Sequence, residues 1–357
     1  MQQRTGMSFQ PAASPPPSPP TPGASPGAVS PLSLERIQHA ARSIDPLFLH
    51  SPQLEFDTLS QALGCRLTVK VETLNPVRCF KGRGADFLLA ARVGEGRREP
   101  LVCASAGNFG QAMAYACRKH GIGLTVFAAV GANPFKIERM QALGAQVLRQ
   151  GEDFDAAKQA ARIWAQAQGQ AFIEDGAQAE ISEGAGSIAV ELLRHDAGFD
   201  ALLLPLGNGA LLSGMARWMK ACSPATRIVG VCSSGAPSMA EAWRSGQRAS
   251  YPAVHTIADG IAVRVPIAAT VAGLHGLMDE VLLVDDDTIV RAIGLVHEHA
   301  GLVVEPAAAV GIAALLANRD AFAGLKVATV LTGAGVTRAQ IREYLSAAGA
   351  GVPADAA

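Results

Sequence analysis

The chain has 357 residues, 49% of them hydrophobic and 17% charged, with a formal net charge of -1. That is apolar material for a large core and length for two domains of ordinary size. The balanced charge offers no electrostatic hold on nucleic acid or an anionic membrane surface, and no stretch approaches the ~18 continuous apolar residues of a membrane span.

Residues 11 to 31 carry nine of the 21 prolines, mixed with Ser, Ala and Gly. Such a composition cannot bury enough apolar surface to offset its ordering entropy, so residues 1–30 are expected to form a disordered Pro-rich tail. Beyond it, the periodicity predicts a helix over 33–43, stopped by Asp45-Pro46, and a strand over 67–71. A helix is expected over 84–92. The chain then alternates: strands over 100–104, 124–129, 145–148, 171–174, 201–205, 227–232 and 326–331, with helices that include 111–120, 134–143, 155–167, 182–194 and 211–220. Short apolar strands alternating with helices of ~10–15 residues mean parallel sheets covered on both faces. The six cysteines, Cys65, Cys79, Cys103, Cys117, Cys222 and Cys232, include no C-x-x-C pair and read as buried thiols of a reducing compartment. No apolar secretory segment opens the chain, so a cytoplasmic location is expected.

One lysine stands out in the run Asn75-Pro76-Val77-Arg78-Cys79-Phe80-Lys81-Gly82-Arg83-Gly84-Ala85. Two glycines follow it within three residues and permit close backbone approach to a ligand. A lysine in a partly desolvated site loses its charge and becomes an amine nucleophile able to form a Schiff base with an aldehyde cofactor. The alternative is a surface lysine at a helix start. Two glycine-bearing turns, over 105–111 and 207–214, each follow a strand and open a helix, which makes each an anion site at the carboxyl end of a sheet. The second reads Gly207-Asn208-Gly209-Ala210-Leu211-Leu212, so it lacks the third glycine of a dinucleotide fingerprint and the G-K-[ST] of a nucleotide loop. A small phosphomonoester suits it better. His297 and His299 are two residues apart on an expected helix and do not share a face, so no metal pair is expected. Asp286 or Asp287 is expected to cap that helix.

Together these stretches resemble fold-type II pyridoxal-phosphate enzymes, which are tryptophan-synthase-β-like, and within them the threonine/serine dehydratase (ammonia-lyase) group. Pro76 to Ala85 is similar to the motif P-x-x-S-F-K-x-R-G-A, with Cys79 in place of serine. Ser105-Ala106-Gly107-Asn108-Phe109-Gly110-Gln111 is similar to S-x-G-N-H-x-Q, with Phe109 in place of histidine. Thr256 to Val263 resembles T-I-A-D-G-x-A-V, Val303 to Ala307 resembles V-x-E-P-A, and Thr332-Gly333 resembles the Ser/Thr-Gly that meets the cofactor's pyridine nitrogen.

The resemblance implies two open parallel or mixed α/β domains with pyridoxal 5'-phosphate in the cleft between them. Residues 31–99 plus 179–350 would form the large cofactor-binding domain, and 100–178 a small mobile domain. Lys81 would be the catalytic Schiff-base lysine. Phe80, Lys81, Asn108, Thr332 and the loop Gly207, Asn208, Gly209, Ala210 and Leu211 would hold the cofactor, and Ser105, Ala106, Gly107, Asn108 and Gln111 the substrate. Racemases of this group carry serine where this chain has Ala106, so the resemblance favours β-elimination from L-threonine or L-serine. Relatives with a divalent ion use carboxylates where this chain has Cys232-Ser233-Ser234-Gly235, so no metal is expected. About 20 residues follow the helix expected at Thr337, too few for the regulatory domain of the allosteric biosynthetic enzymes. The implied partners are an amino-acid substrate and a second copy of the chain, with no nucleic acid or membrane. Other reactions of the same scaffold stay open: diaminopropionate or hydroxyaspartate ammonia-lyase, threonine synthesis and β-replacement. So does a non-catalytic binding protein.

Overall fold

The structure is a computed structural model and describes residues 32–195, 198–247 and 249–349. The expected Pro-rich tail lies outside the described residues. Ten strands are present among them: β1 Gln53–Glu55, β2 Arg66–Val71, β3 Leu101–Ala104, β4 Leu124–Ala128, β5 Gln146–Arg149, β6 Ala171–Ile173, β7 Ala201–Pro205, β8 Arg227–Ser233, β9 Glu280–Val284 and β10 Lys326–Leu331. They build two sheets. The larger has the order β1-β2-β10-β7-β8-β9, and the smaller β5-β4-β3-β6. The smaller is parallel throughout, and the larger is parallel except for its edge pair β1 and β2.

Helices cover both faces of the larger sheet. Pro306–Ala317 and Asp286–Ala300 pack with Val69, Leu203, Val229 and Val327 in one cluster, and Ala179–Leu192 and Ala210–Cys222 pack with Leu202, Leu204, Ile228 and Val330 in another. Pro306–Ala317 is buried along nearly its whole length, as a helix apolar all round must be. The smaller sheet shares its core with the helix Lys81–Gly94, whose Ala85, Phe87, Leu88 and Leu89 join Leu101, Cys103 and Val126.

Some expectations need correction. The helix expected over 84–92 begins at Lys81, and the one expected over 111–120 begins at Asn108, so both residues stand at helix starts rather than in loops. The cap of Asp286–Ala300 is Asp285, whose side chain accepts from Thr288 N at 2.7 Å, and neither Asp286 nor Asp287 fills that role. Strands β1 and β9, which were not expected, lie at the two edges of the larger sheet; β1 is exposed or half-buried throughout, whereas β9 carries the apolar run Val281 to Val284 with both ends of it buried.

Three helices are locked backbone to backbone by glycines. A Cβ on Gly84 would stand 2.5 Å from Ile181 O, one on Gly184 would stand 2.6 Å from Gly84 Cα, and one on Gly214 would stand 1.8 Å from Ser182 O. Helices Lys81–Gly94 and Ala210–Cys222 therefore both rest on Ala179–Leu192 at distances that only glycine permits.

Candidate active site

The order of the larger sheet places β2, β10 and β7 side by side and parallel, so their carboxyl ends open on one edge. The segment after β2 leads to Lys81, that after β10 begins with Thr332, and that after β7 holds Gly207 to Leu211. The carboxyl ends of β3 and β6 face the same space with Ser105 and Asp175. All these residues line one cleft of about 510 Å³. Ligands of open α/β sheets bind at such an edge.

The lysine segment is built by Asn75. Its side chain donates to Glu72 O at 2.9 Å and Cys79 O at 3.1 Å, and accepts from Val77 N at 3.1 Å and Cys79 N at 3.3 Å. Arg78 takes a left-handed backbone, with φ of +57°, which costs about 1–3 kcal/mol and persists because Asn75 and Ala334 hold both sides of it. Beneath the segment, Arg83 is fully buried between Glu72 and Glu191, with contacts of 2.8 and 2.7 Å, and Lys70 meets Glu191 at 2.8 Å. Burial pushes the Cys79 thiol up to about 12, with help from the Glu305 charge, so it is an inert packing group.

Lys81 departs from the reading of a discharged amine. Burial alone would lower its pKa, and the start of a helix also disfavours a cation there. The Asp175 carboxylate reverses this by charge and hydrogen bond, with smaller help from Cys79 and Glu305, and leaves the Lys81 amine above its ordinary value. The ammonium also stands 5.8 Å from the ring centres of Phe80 and Phe109, near the limit of cation–π attraction. Phe109 thus packs against the lysine in place of the histidine of the motif.

The turn after β3 is closed on itself. The Ser105 hydroxyl accepts from Gly107 N at 3.1 Å and Gly110 N at 2.9 Å. Asn108 Nδ2 donates to Glu305 Oε1 at 2.6 Å, and Gly335 N donates to Glu305 Oε2 at 3.0 Å. Phe80 N donates to Thr332 O at 3.0 Å, which holds the lysine segment to the end of β10. Phe80, Lys81, Ser105, Ala106, Gly107, Asn108, Gly207, Asn208, Gly209, Ala210, Leu211 and Thr332 share the cleft. Gln111 does not line it. Its side chain is buried, and neither of its polar atoms has a hydrogen-bond partner among the described residues.

Four further residues were not singled out by sequence. Asp175 and Lys136 belong to no motif quoted above, whereas Glu305 and Asp259 lie inside the V-x-E-P-A and T-I-A-D-G runs without an assigned role. Lys136 lies beside Gly107 and meets Asp259 across the cleft, while Arg264 meets Asp155 at 2.8 Å and Asp153 at 3.3 Å. These pairs join the side of the smaller sheet to the segment that follows residue 258.

The cleft fits pyridoxal phosphate on its own chemistry. It offers a primary amine for an aldehyde and a neutral hydroxyl at Thr332. It also offers the start of helix Ala210–Cys222, which is capped by Gly209 with no side chain competing for its N–H groups. Gly209 has φ of +89°, and a Cβ there would stand 2.5 Å from Thr270 Cγ2. Among the described residues no cluster of three or more His, Cys, Asp or Glu could hold a metal ion, and no helix is long and apolar enough to cross a membrane.

Fold and site define a pyridoxal-phosphate enzyme of the two-sheet class. Residues 44–333 match the pyridoxal-phosphate dependent enzyme family, and the chain belongs to it. It is 33% identical over 306 residues to the L-threonine ammonia-lyase of Thermotoga maritima, covering 85% of this chain and 76% of that relative. The processed form of threonine deaminase isoform 2 from Solanum lycopersicum superposes with a TM-score of 0.81 at 28% identity, covering 93% of this chain and 94% of that one. Maize serine racemase also superposes with a TM-score of 0.81, at 25% identity, covering 88% of this chain and 97% of that one.

Proposed function

We propose that this enzyme removes water and then ammonia from a β-hydroxy amino acid, L-threonine or L-serine, to give a 2-oxo acid. The observation that carries this reading is Ala106. Lys81 and Ala106 line the same cleft, and the position of Ala106 is the one where the racemases that the sequence resembles carry a serine, so a methyl group stands in for their second acid–base group. The relationship to a threonine ammonia-lyase supports the same choice.

In this reading the residues divide the work as follows. The N–H groups of the turn over 105–108 that the turn does not use itself, those of Ala106 and Asn108, receive the substrate carboxylate, and Glu305 keeps Asn108 oriented. The loop Gly207 to Leu211 holds the cofactor's phosphate by backbone N–H groups at the helix start. Thr332 would offer the ring nitrogen a neutral hydroxyl, which, unlike a carboxylate, does not hold that nitrogen protonated and so leaves the ring a weaker electron sink. When bound, pyridoxal phosphate supplies the electron sink for negative charge at Cα. Lys81 takes the Cα proton, which requires it first to give up the charge that Asp175 stabilises. We assign residues 31–99 and 179–350 to a cofactor-binding unit and 100–178 to a unit that closes on it, with Lys136–Asp259 and Arg264–Asp155 as contacts made on closure. A dimer in the cytoplasm belongs to the same proposal, and light scattering tests the dimer.

The deciding experiment is release of 2-oxo acid from a panel of amino acids in the presence of pyridoxal phosphate. Turnover of L-threonine or L-serine above 2,3-diaminopropionate, hydroxyaspartate and O-acetylserine is expected. Reduction with borohydride should leave the pyridoxyl label on the peptide that contains Lys81, and a label on another lysine removes the site assignment.

A further inference from the structure

Asp175 stands two residues beyond β6, with its side chain 11% exposed, and its carboxylate contacts the Lys81 ammonium inside the cleft. The preceding Glu174 serves a different purpose: it meets Lys158 at 3.4 Å and also contacts Arg162. Asp175 is thus a carboxylate set directly against the group that must handle the Cα proton. The elimination has a second proton requirement. Hydroxide leaves carbon poorly, so the departing β-oxygen needs a proton as the Cβ–O bond breaks. Ala106 cannot supply one, the Ser105 hydroxyl donates within its own turn to Gly107 O at 3.4 Å, and the Cys79 thiol is buried and inert.

We propose that Lys81 and Asp175 act as a proton relay in the β-elimination, an inference that rests on the function proposed above. Lys81 accepts the Cα proton. The proton crosses the hydrogen bond from Nζ to Oδ2, and Asp175 delivers it to the β-oxygen. The electron pair of the Cα–H bond becomes the second Cα–Cβ bond, and the pair of the Cβ–O bond stays with oxygen. The proton taken at Cα leaves in the water, so no outside acid is consumed and both residues return to their starting state. Asp175 is in this reading the general acid for the leaving group, and its hydrogen bond to Lys81 is what couples the two proton transfers.

The test is Asp175→Asn, which keeps the shape of the side chain and a hydrogen-bonding group beside Lys81 but carries no transferable acid proton. Unmodified protein and variant are compared on L-serine and on β-chloro-L-alanine, whose chloride departs without a proton. A general acid contributes about 10²–10⁴-fold, so kcat for L-serine should fall by at least about 10²-fold while kcat for β-chloro-L-alanine stays within about tenfold. Borohydride labelling of Lys81 should be retained, and NMR in D₂O should show deuterium still entering Cα of L-serine. Asp175→Glu should recover part of the serine rate. Equal losses on the two substrates, or an unchanged serine rate, overturn the relay. The proposed function fails separately, if the unmodified protein turns over neither L-serine nor L-threonine, and the relay falls with it.

Discussion

Asn108 Nδ2 donates to Glu305 Oε1 at 2.6 Å, and this bond joins the first residue of the helix after β3 to the cap of helix Pro306–Ala317. It crosses from the smaller sheet's side of the cleft to the larger. Gly333 and Gly335 lie against the same carboxylate so closely that a Cβ on them would stand 2.4 and 2.8 Å from its oxygens. Glu305 is therefore packed as well as hydrogen bonded.

Burial raises the Glu305 carboxyl above its ordinary range, with Asp259 adding to the rise, while Lys136 and the bonds from Asn108 and Gly335 oppose it. A raised carboxyl favours the folded state most below its unfolded pKa of about 4.3, and that contribution is lost as pH rises through the folded value. Glu305→Gln removes the ionisation, so its stability relative to the unmodified protein should improve as pH rises across this window. Urea midpoints at several pH values measure this; a difference that does not change with pH contradicts it. Glu305→Ala strands two donors, at a cost of about 1–3 kcal/mol for each one left unsatisfied.

The buried cluster under the lysine segment has the opposite sign. Burial would raise Glu191, but hydrogen bonds and charge from Arg83, and then Lys70, hold its carboxyl down at about 2. A lowered carboxyl contributes stability above its unfolded value of about 4.3, and that is lost as pH falls toward the folded value. Glu191→Gln should flatten the acid-unfolding curve between those limits. Arg83→Met should cost about 3–5 kcal/mol at neutral pH because it takes from the buried Glu72 its ion partner and leaves Glu191 with Lys70 alone. Circular dichroism across an acid titration checks the first, and urea denaturation the second.

Gly209 separates strain from charge. Alanine there meets the left-handed backbone and the methyl of Thr270, so Gly209→Ala should lower stability by about 1–3 kcal/mol. Gly209→Asp adds a carboxylate beside the proposed phosphate site. Like charges ~4 Å apart repel by about 4 kcal/mol at intermediate dielectric, so cofactor affinity should fall orders of magnitude beyond the alanine variant. Equal affinities for the two variants, read by spectroscopic titration, would move the phosphate elsewhere.

In the proposed function Ala106 is what favours elimination over racemisation. The unmodified protein should make little D-serine from L-serine. Ala106→Ser brings a hydroxyl into the cleft, and a well-placed acid–base group is worth ~10²–10⁴-fold, so even poor alignment should give D-serine detectable by chiral chromatography. Substantial D-serine from the unmodified protein would require another second base and overturn the assignment.

The regular parts of this fold were legible because parallel strands such as Ala201–Pro205 are unbroken apolar runs. Helix Pro306–Ala317 was not, since a helix buried on all sides has no 3.6-residue pattern to find. Strand β1 escaped because a three-residue edge strand with no buried side chain has no pattern to find, whereas the apolar run of β9, Val281 to Val284, was there to be read and was passed over. In the site, local motifs marked Lys81, Asn108, Gly207 and Thr332, which line a single cleft. Gln111 stood in a motif and yet is buried and does not line the cleft, a difference that the motif's spacing does not encode. Asp175 was invisible because what distinguishes it is a neighbour 94 positions away, and spacing along a chain carries no trace of such a contact.

The glycine contacts between helices have a consequence for ligand size. Lys81 begins one helix and Gly209 caps another, and both helices bear on Ala179–Leu192 through bare backbone. The span from amine to the proposed anion loop is then gauged by peptide thickness at these crossing points, where no side chain stands between the backbones to shrink or swell. A cofactor analogue one methylene longer between aldehyde and phosphate would have to part the helices rather than repack a pocket wall.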